Sequence, residues 1–251
     1  MLELVIFVCI IAFCCELLDA SLGQGYGTLG SPIFLLMGFS PKVVVPSILL
    51  SQAIGGFSAG IWHHKYGNVN FSNHKTVDFK RVYFIVVAGI IGVVVAAFIG
   101  IKAPKDLLTA YIGVVVLVMG VLLLSGKTFK FTWKKLSVIG AISAFNKGLS
   151  GGGYGPVVTG GQAIIGVNGK NSVAITDLAE APICIAGFSV YLSSVGIIDP
   201  LFTLSLCVGA ILAPPLGAYI TKRIPAGKFL KLLGAVIFIL GVLTLAKVLN
   251  P

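Results

Sequence analysis

Two glycine-dense blocks stand out for the chemistry they permit. Gly23-Gln24-Gly25-Tyr26-Gly27 is matched, 128 residues further on, by Gly151-Gly152-Gly153-Tyr154-Gly155. Glycine lets a backbone leave the helix and bring its N–H groups close to a ligand. Each block leads directly into a short apolar stretch that reads as a helix, and a helix start carries unpaired N–H donors and partial positive charge. Anions bind at such ends. Ser21, Thr28, Ser150, Tyr26 and Tyr154 add hydroxyl donors. The candidate anion site therefore comprises Ser21, Gly23, Gln24, Gly25, Tyr26, Gly27 and Thr28 in the first half. Ser150, Gly151, Gly152, Gly153, Tyr154 and Gly155 are its members in the second. The competing explanation is close helix packing through glycine, common in membranes, which suits the scattered Gly89, Gly92, Gly113 and Gly120. No Gly-Lys-Ser/Thr follows either block, so they do not read as phosphate-binding P-loops.

Ionisable residues inside apolar sequence are the second signal. Glu16, Asp19, Lys147, Asp177 and Glu180 all lie there, and such residues are costly in a bilayer and functional by default. Asp19 and Lys147 are 128 residues apart, so an acid in one half matches a base in the other. They could pair, or Lys147 could face the anion. Asp177 and Glu180 are three residues apart and share one helix face. Two acids so close repel one another when both are charged, which suits a proton-coupling site with Asp19 as a further member. The alternative is that both pair with neighbouring groups. Gln52, the repeat partner of Glu180, cannot titrate, so acid-based coupling would be lopsided. His63, His64 and His74 lack carboxylate or cysteine companions at metal-binding spacing, and an interfacial or loop role is expected for them. No Ser/His/Asp set, metalloprotease motif or nucleophile elbow is present; no enzyme activity and no cofactor or metal is expected.

The positioning elements follow from composition. The chain has 251 residues, 57% hydrophobic and 10% charged, against about 25% charged in soluble domains. Residues 1–18, 82–101, 107–124, 201–220 and 229–249 approach or reach the ~20 residues of helix that cross a hydrocarbon core. In lipid every backbone polar group needs an internal partner, so these runs are helices; the alternating segments of ~10 residues that build barrels are not visible. The net charge of +10 comes from Lys and Arg clusters between apolar runs, a topology signal rather than a nucleic-acid surface. The five cysteines lie within apolar segments without a C-x-x-C pair, as small buried hydrophobes. The start of the chain carries Glu3 in place of a positive n-region and is expected to be a retained first helix.

The repeat extends beyond the glycine blocks. At the same offset Gly38 meets Gly166, Lys42 meets Lys170 and Val45 meets Val173; at an offset of 121, Pro104, Gly113 and Gly120 meet Pro225, Gly234 and Gly241. The expected architecture is an all-α integral membrane protein of two sequence-related halves, 1–126 and 127–251, with about five helical elements each. A first helix (1–18; 132–146) runs into the interruption (18–27; 146–155). A short helix (28–39; 156–167), a long helix (43–64; 171–194) and two ordinary spans (79–101 and 105–125; 201–222 and 227–249) follow. Twelve residues of helix rise only ~18 Å, so the short helix either dips and returns, giving eight spans, or crosses with its flanks, giving inverted halves. Cytoplasmic loops are enriched in Lys and Arg. The ten-crossing arrangement gathers the basic segments 65–81, 127–135, 170 and 222–231 on one side, whereas the eight-span one divides the charge evenly. Inverted repeats with both termini outside are therefore expected. Trp62, Tyr66, Tyr83 and Trp133 fit an aromatic belt beside those loops.

The pattern resembles the sulfite exporter TauE/SafE family over nearly the whole chain. The residues that carry the resemblance are Asp19-Ala-Ser-Leu-Gly-Gln-Gly-Tyr-Gly-Thr28, Pro32, Gly38-Phe39-Ser-Pro41, Val44-Val45-Pro46 and His63-His64. In the second half they are Gly151 to Pro156, Gly161-Gln162, Ala174-Ile-Thr176 and Ala179-Glu180. The resemblance implies a multi-pass transporter of the cytoplasmic membrane for small sulfur-containing anions such as sulfite or organosulfonates. Export, coupling to the proton gradient and alternating access come with it, and a homodimer is an admissible assembly. The alternatives are an uncoupled anion channel and a non-transport membrane subunit or enzyme. Gln52, where related proteins are expected to carry an acid, and Gln24, inside the first glycine block, are departures.

Overall fold

The computed structural model describes residues 2–102, 104–125, 129–196 and 199–224. Beyond these it describes 231, 232, 234, 235, 238, 239, 241–243, 245 and 246. Among the described residues are ten helices. The first half contains α1 (Leu2–Leu22), α2 (Tyr26–Leu36), α3 (Pro41–Lys65), α4 (Val77–Gly100) and α5 (Lys105–Leu124). The second contains α6 (Trp133–Ser150), α7 (Tyr154–Ile164), α8 (Gly169–Val195), α9 (Pro200–Leu212) and α10 (Pro214–Arg223). Five segments are long and apolar enough to cross a membrane: α1, α3, α4, α8 and α9 with α10 taken together. The chain is an all-α, multi-spanning membrane protein.

α1 and α6 run four residues further than the sequence suggests. Helical bonding continues until the amide of Gly23 donates to Asp19 O and that of Gly151 to Lys147 O. Gly23 (φ 70°) and Gly151 (φ 73°) then turn left-handed and stop the helix, a conformation glycine adopts without a Cβ clash. Asp19, Ser21, Lys147 and Ser150 thus sit in last helical turns, and only 23–25 and 151–153 are irregular. The span expected over 201–222 is broken at Ala213, because Pro214 and Pro215 lack the N–H that would continue the ladder. The last expected helix, 227–249, lies largely outside the described residues.

α3 and α8 pack together at the centre. α4 lies on α6 and α8, while α9 and α10 lie on α1 and α3. Each half's fourth element therefore packs against the first helix of the other half. Several contacts recur in repeat-related form. A Cβ on Gly120 would meet the Phe238 backbone, and one on Gly241 the Leu117 backbone, each at 2.6 Å. Left-handed glycines recur at 23 and 151, 25 and 153, and 38 and 166.

The basic segments gather at one end. Lys170 Nζ donates to Lys222 O at 2.7 Å, Asn171 Nδ2 to Asp78 Oδ2 at 3.0 Å, and Arg81 pairs with Asp78. Arg81 also lies over Phe131, Lys65 over Trp62 and Lys222 over Tyr66. The ends of α3 and α10 and the starts of α4, α6 and α8 share this basic, aromatic end. Lys127, Lys228 and Lys247 lie outside the described residues.

Candidate functional site

The two interrupted segments cross in the interior. A Cβ on Gly27 would run into the carbonyl of Gly151, and one on Gly155 into the carbonyl of Gly23. These are repeat-related contacts, so the two backbones touch where no side chain fits. Side chains tie the crossing: the Gly153 amide donates to Thr28 Oγ1 at 3.2 Å, Thr159 Oγ1 donates to Gly23 O at 2.8 Å, and Ser31 Oγ to Ser150 O at 3.3 Å. The starts of α2 and α7 are thereby brought to one place.

There they line a narrow cleft with Asp19, Gly25, Gly27, Thr28, Gln52, Lys147, Gly152, Gly153, Tyr154, Gly155 and Glu180. It is too narrow in this conformation to admit a water molecule. Of the sequence candidates, Ser21, Gly23, Gln24, Tyr26, Ser150, Gly151 and Asp177 do not line it. Ser21 Oγ turns back to Leu18 O, and Ser150 Oγ to Asn146 O. Gln24 is buried.

Four polar side chains form a chain across the cleft. Gln52 Nε2 donates to Asp19 Oδ2 at 2.5 Å, Lys147 Nζ donates to Gln52 Oε1, and Lys147 Nζ pairs with Glu180 Oε1 at 2.6 Å. All four are buried. Asp19 with Gln52 and Lys147 with Glu180 are the same contact in the two halves. Asp19 and Lys147 are thus bridged by the Gln52 amide rather than in direct contact. Because that amide donates at one end and accepts at the other, its orientation is fixed. Among the described residues that line the cleft, one cation, Lys147, faces two carboxylates, Asp19 and Glu180.

The two tyrosines differ, and the sequence says why. Tyr26 OH bonds Ser51 Oγ at 2.7 Å and lies 3.5 Å from Leu206 O. The position equivalent to Ser51 is Ala179, and the buried Tyr154 hydroxyl has no hydrogen-bond partner among the described residues. Tyr26→Phe should therefore cost about 1 kcal/mol of stability, while Tyr154→Phe should be neutral or stabilising. Unfolding midpoints of the two variants in detergent test this; equal losses would contradict it.

His63, expected at an interface or in a loop, is fully buried instead. α1, α8 and α10 converge on the last turns of α3. His63 Nε2 lies 2.9 Å from Ala20 O and 3.1 Å from Asp177 Oδ2. Its repeat equivalent, Tyr191, also lies in the last turns of its helix, so no signal in the sequence marked His63 for burial. Glu16 is also buried, against Gly55, with Oε2 unpartnered. Among the described residues no group of His, Cys, Asp and Glu side chains is placed to hold a metal ion.

Comparison with known proteins gives the following. The family described as "Sulfite exporter TauE/SafE" matches residues 8–244. The chain is similar to the "Probable membrane transporter protein YtnM" of Bacillus subtilis (strain 168). The two are 28% identical over 239 residues, covering 89% of this chain and 76% of that protein. No solved structure matches.

Proposed function

The chain belongs to the sulfite exporter TauE/SafE family of membrane transporters, and from that premise we propose that it is a proton-coupled carrier of small sulfur-containing anions such as sulfite or an organosulfonate. The observation that carries this reading is the cleft where two helix starts and Lys147 meet. The helix-start N–H groups of Gly27, Thr28 and Gly155, which line the cleft, and the Lys147 ammonium take the anionic head group. Ser21, Gly23, Gln24, Tyr26, Ser150, Gly151, Gly152, Gly153 and Tyr154 shape and brace those loops, with Gly25 at the cleft wall.

Proton coupling follows from the single cation. Lys147 is held by Glu180. A proton on Glu180 weakens that pair and frees Lys147 for the anion, so proton and anion are bound together. Asp19, joined through Gln52, and Asp177, one helical turn from Glu180, complete the set. Such a carrier is reversible; export follows wherever the outward anion gradient exceeds the inward proton force.

Alternating access by inverted repeats is the motion that fits. The basic segments gathered at one end support ten crossings with that end cytoplasmic and the termini outside. A cleft closed to water supports a carrier over a continuous channel. The test is solute-evoked current or labelled flux in proteoliposomes for sulfite, sulfate, thiosulfate, sulfoacetate, taurine and acetate, with and without a proton gradient. Saturable, gradient-dependent movement of a sulfur anion is expected. Flux that ignores the gradient overturns the coupling, and no flux of any of these anions overturns the substrate class.

A further inference from the structure

The repeat permits a comparison of the two ends of the carrier, residue by residue. At the basic end the His63 ring of α3 reaches Ala20 O at the end of α1. At the opposite end its equivalent, Tyr191 of α8, donates to Gly148 O of α6 at 3.1 Å. Residues 63 and 191, and 20 and 148, are each 128 apart, so these are one contact seen twice. The surroundings are not equivalent. His63 also faces Asp177 Oδ2 at 3.1 Å. The residue equivalent to Asp177 is Leu49, which shares an apolar cluster with Tyr191.

The chemistry of His63 is fixed by Asn68. The Asn68 Nδ2 group donates to Ala218 O at 2.8 Å and to His63 Nδ1 at 2.9 Å. An amide nitrogen only donates, so Nδ1 is an acceptor and the ring proton sits on Nε2. That one N–H has two acceptors in reach: Ala20 O, within the first half, and Asp177 Oδ2, in the second. It is aimed at Ala20, leaving both Asp177 oxygens without a hydrogen bond among the described residues although the side chain is buried. A charged carboxylate is the stronger acceptor; a protonated one is not.

We propose that His63 and Asp177 form a titratable latch at the basic end of the carrier, whereas the equivalent residues at the other end, Tyr191 and Leu49, supply neither an imidazole nor a carboxylate. Charged Asp177 draws the Nε2–H of His63 across the boundary between the halves and holds that end shut. A proton delivered from the cytoplasmic side to Asp177 leaves the N–H on Ala20 O and releases it. Thr221 of α10, whose hydroxyl reaches Ala20 O and Ser21 O, ties a fourth helix to the same point. Besides His63 of α3, the titratable groups that interact with Asp177 are Glu180 on its own helix, Glu16 and Asp19 of α1 and Tyr154 of α7. Lys147 of α6 reaches it through Glu180. α4 brings Asp78 and Arg81 only at its first turn, where they pair with each other.

This deepens the proton-coupled reading and rests on it, yet its test needs no transport. Ser21→Cys, in a full-length chain whose five native cysteines are replaced, reports access to the latch in inside-out vesicles. Its rate of labelling by a membrane-impermeant maleimide, divided at each pH by the rate of the same thiol in the detergent-unfolded chain so that thiolate content cancels, should rise about tenfold when the cytoplasmic side is acidified, the factor that one hydrogen bond to a charged group is worth. Asp177→Asn, which preserves shape, and His63→Ala should both label fast at every pH, and Tyr191→Phe should leave the response intact. Labelling that ignores cytoplasmic pH, or an Asp177→Asn variant that still follows it, overturns the latch. Sulfur-anion flux lost with the labelling response intact would sink the transport reading alone; flux intact with labelling unresponsive would sink the latch alone.

Discussion

Replacing Lys147 with methionine is expected to cost about 3–5 kcal/mol, because it strands the buried Glu180 carboxylate without its cation. The same change leaves Gln52 Oε1 without its donor. Adding Glu180→Gln should recover most of the loss, since a neutral amide tolerates the site far better than an unpaired charge. The two single variants and the double variant form a cycle whose coupling isolates the pair. Unfolding midpoints in detergent provide the readout. A Lys147→Met protein as stable as the parent, or a double variant no better than the single one, would show that the pair is not held as described. On the proposed anion site, transport should be lost in both Lys147 variants whether or not stability returns, because both lack the ammonium group on which that site relies.

The second large effect is expected at the crossing of the loops. Alanine at Gly27 places a Cβ against the carbonyl of Gly151, and alanine at Gly155 places one against the carbonyl of Gly23. Both obstacles are backbone, so neither can swing aside as a side chain would. The crossing must open, moving the two helix starts apart. Misplacement of binding groups by ~1 Å costs on the order of a hundredfold in function, and each variant should lose transport to at least that extent. The two changes are repeat-related and should fail alike. Gly30→Ala is the control: its nearest neighbours are 3.6 Å away, and alanine in a helix interior gains roughly 0.5–1 kcal/mol over glycine. Flux in Gly27→Ala or Gly155→Ala equal to that of Gly30→Ala would remove the close approach as a requirement.

Much of this protein is legible in its sequence because the signals are local or periodic. Long apolar runs with few charges demand helices in lipid, whatever packs around them. An offset of 128 aligns the glycine blocks, and with them Asp19 with Lys147 and Gln52 with Glu180.

What needed the tertiary structure depends on contacts between distant segments. Gln52 and Lys147 are 95 positions apart, and nothing local says that an amide rather than direct contact joins Asp19 to Lys147. The first apolar run stops at Leu18, whereas Asp19, buried and paired with Gln52, lies inside a helix that continues to Leu22. His63, beside His64, Lys65 and Tyr66, carries the marks of an interface. Only the convergence of α1, α8 and α10 buries it against Asp177, because burial is a property of what packs around a residue and not of the residue itself.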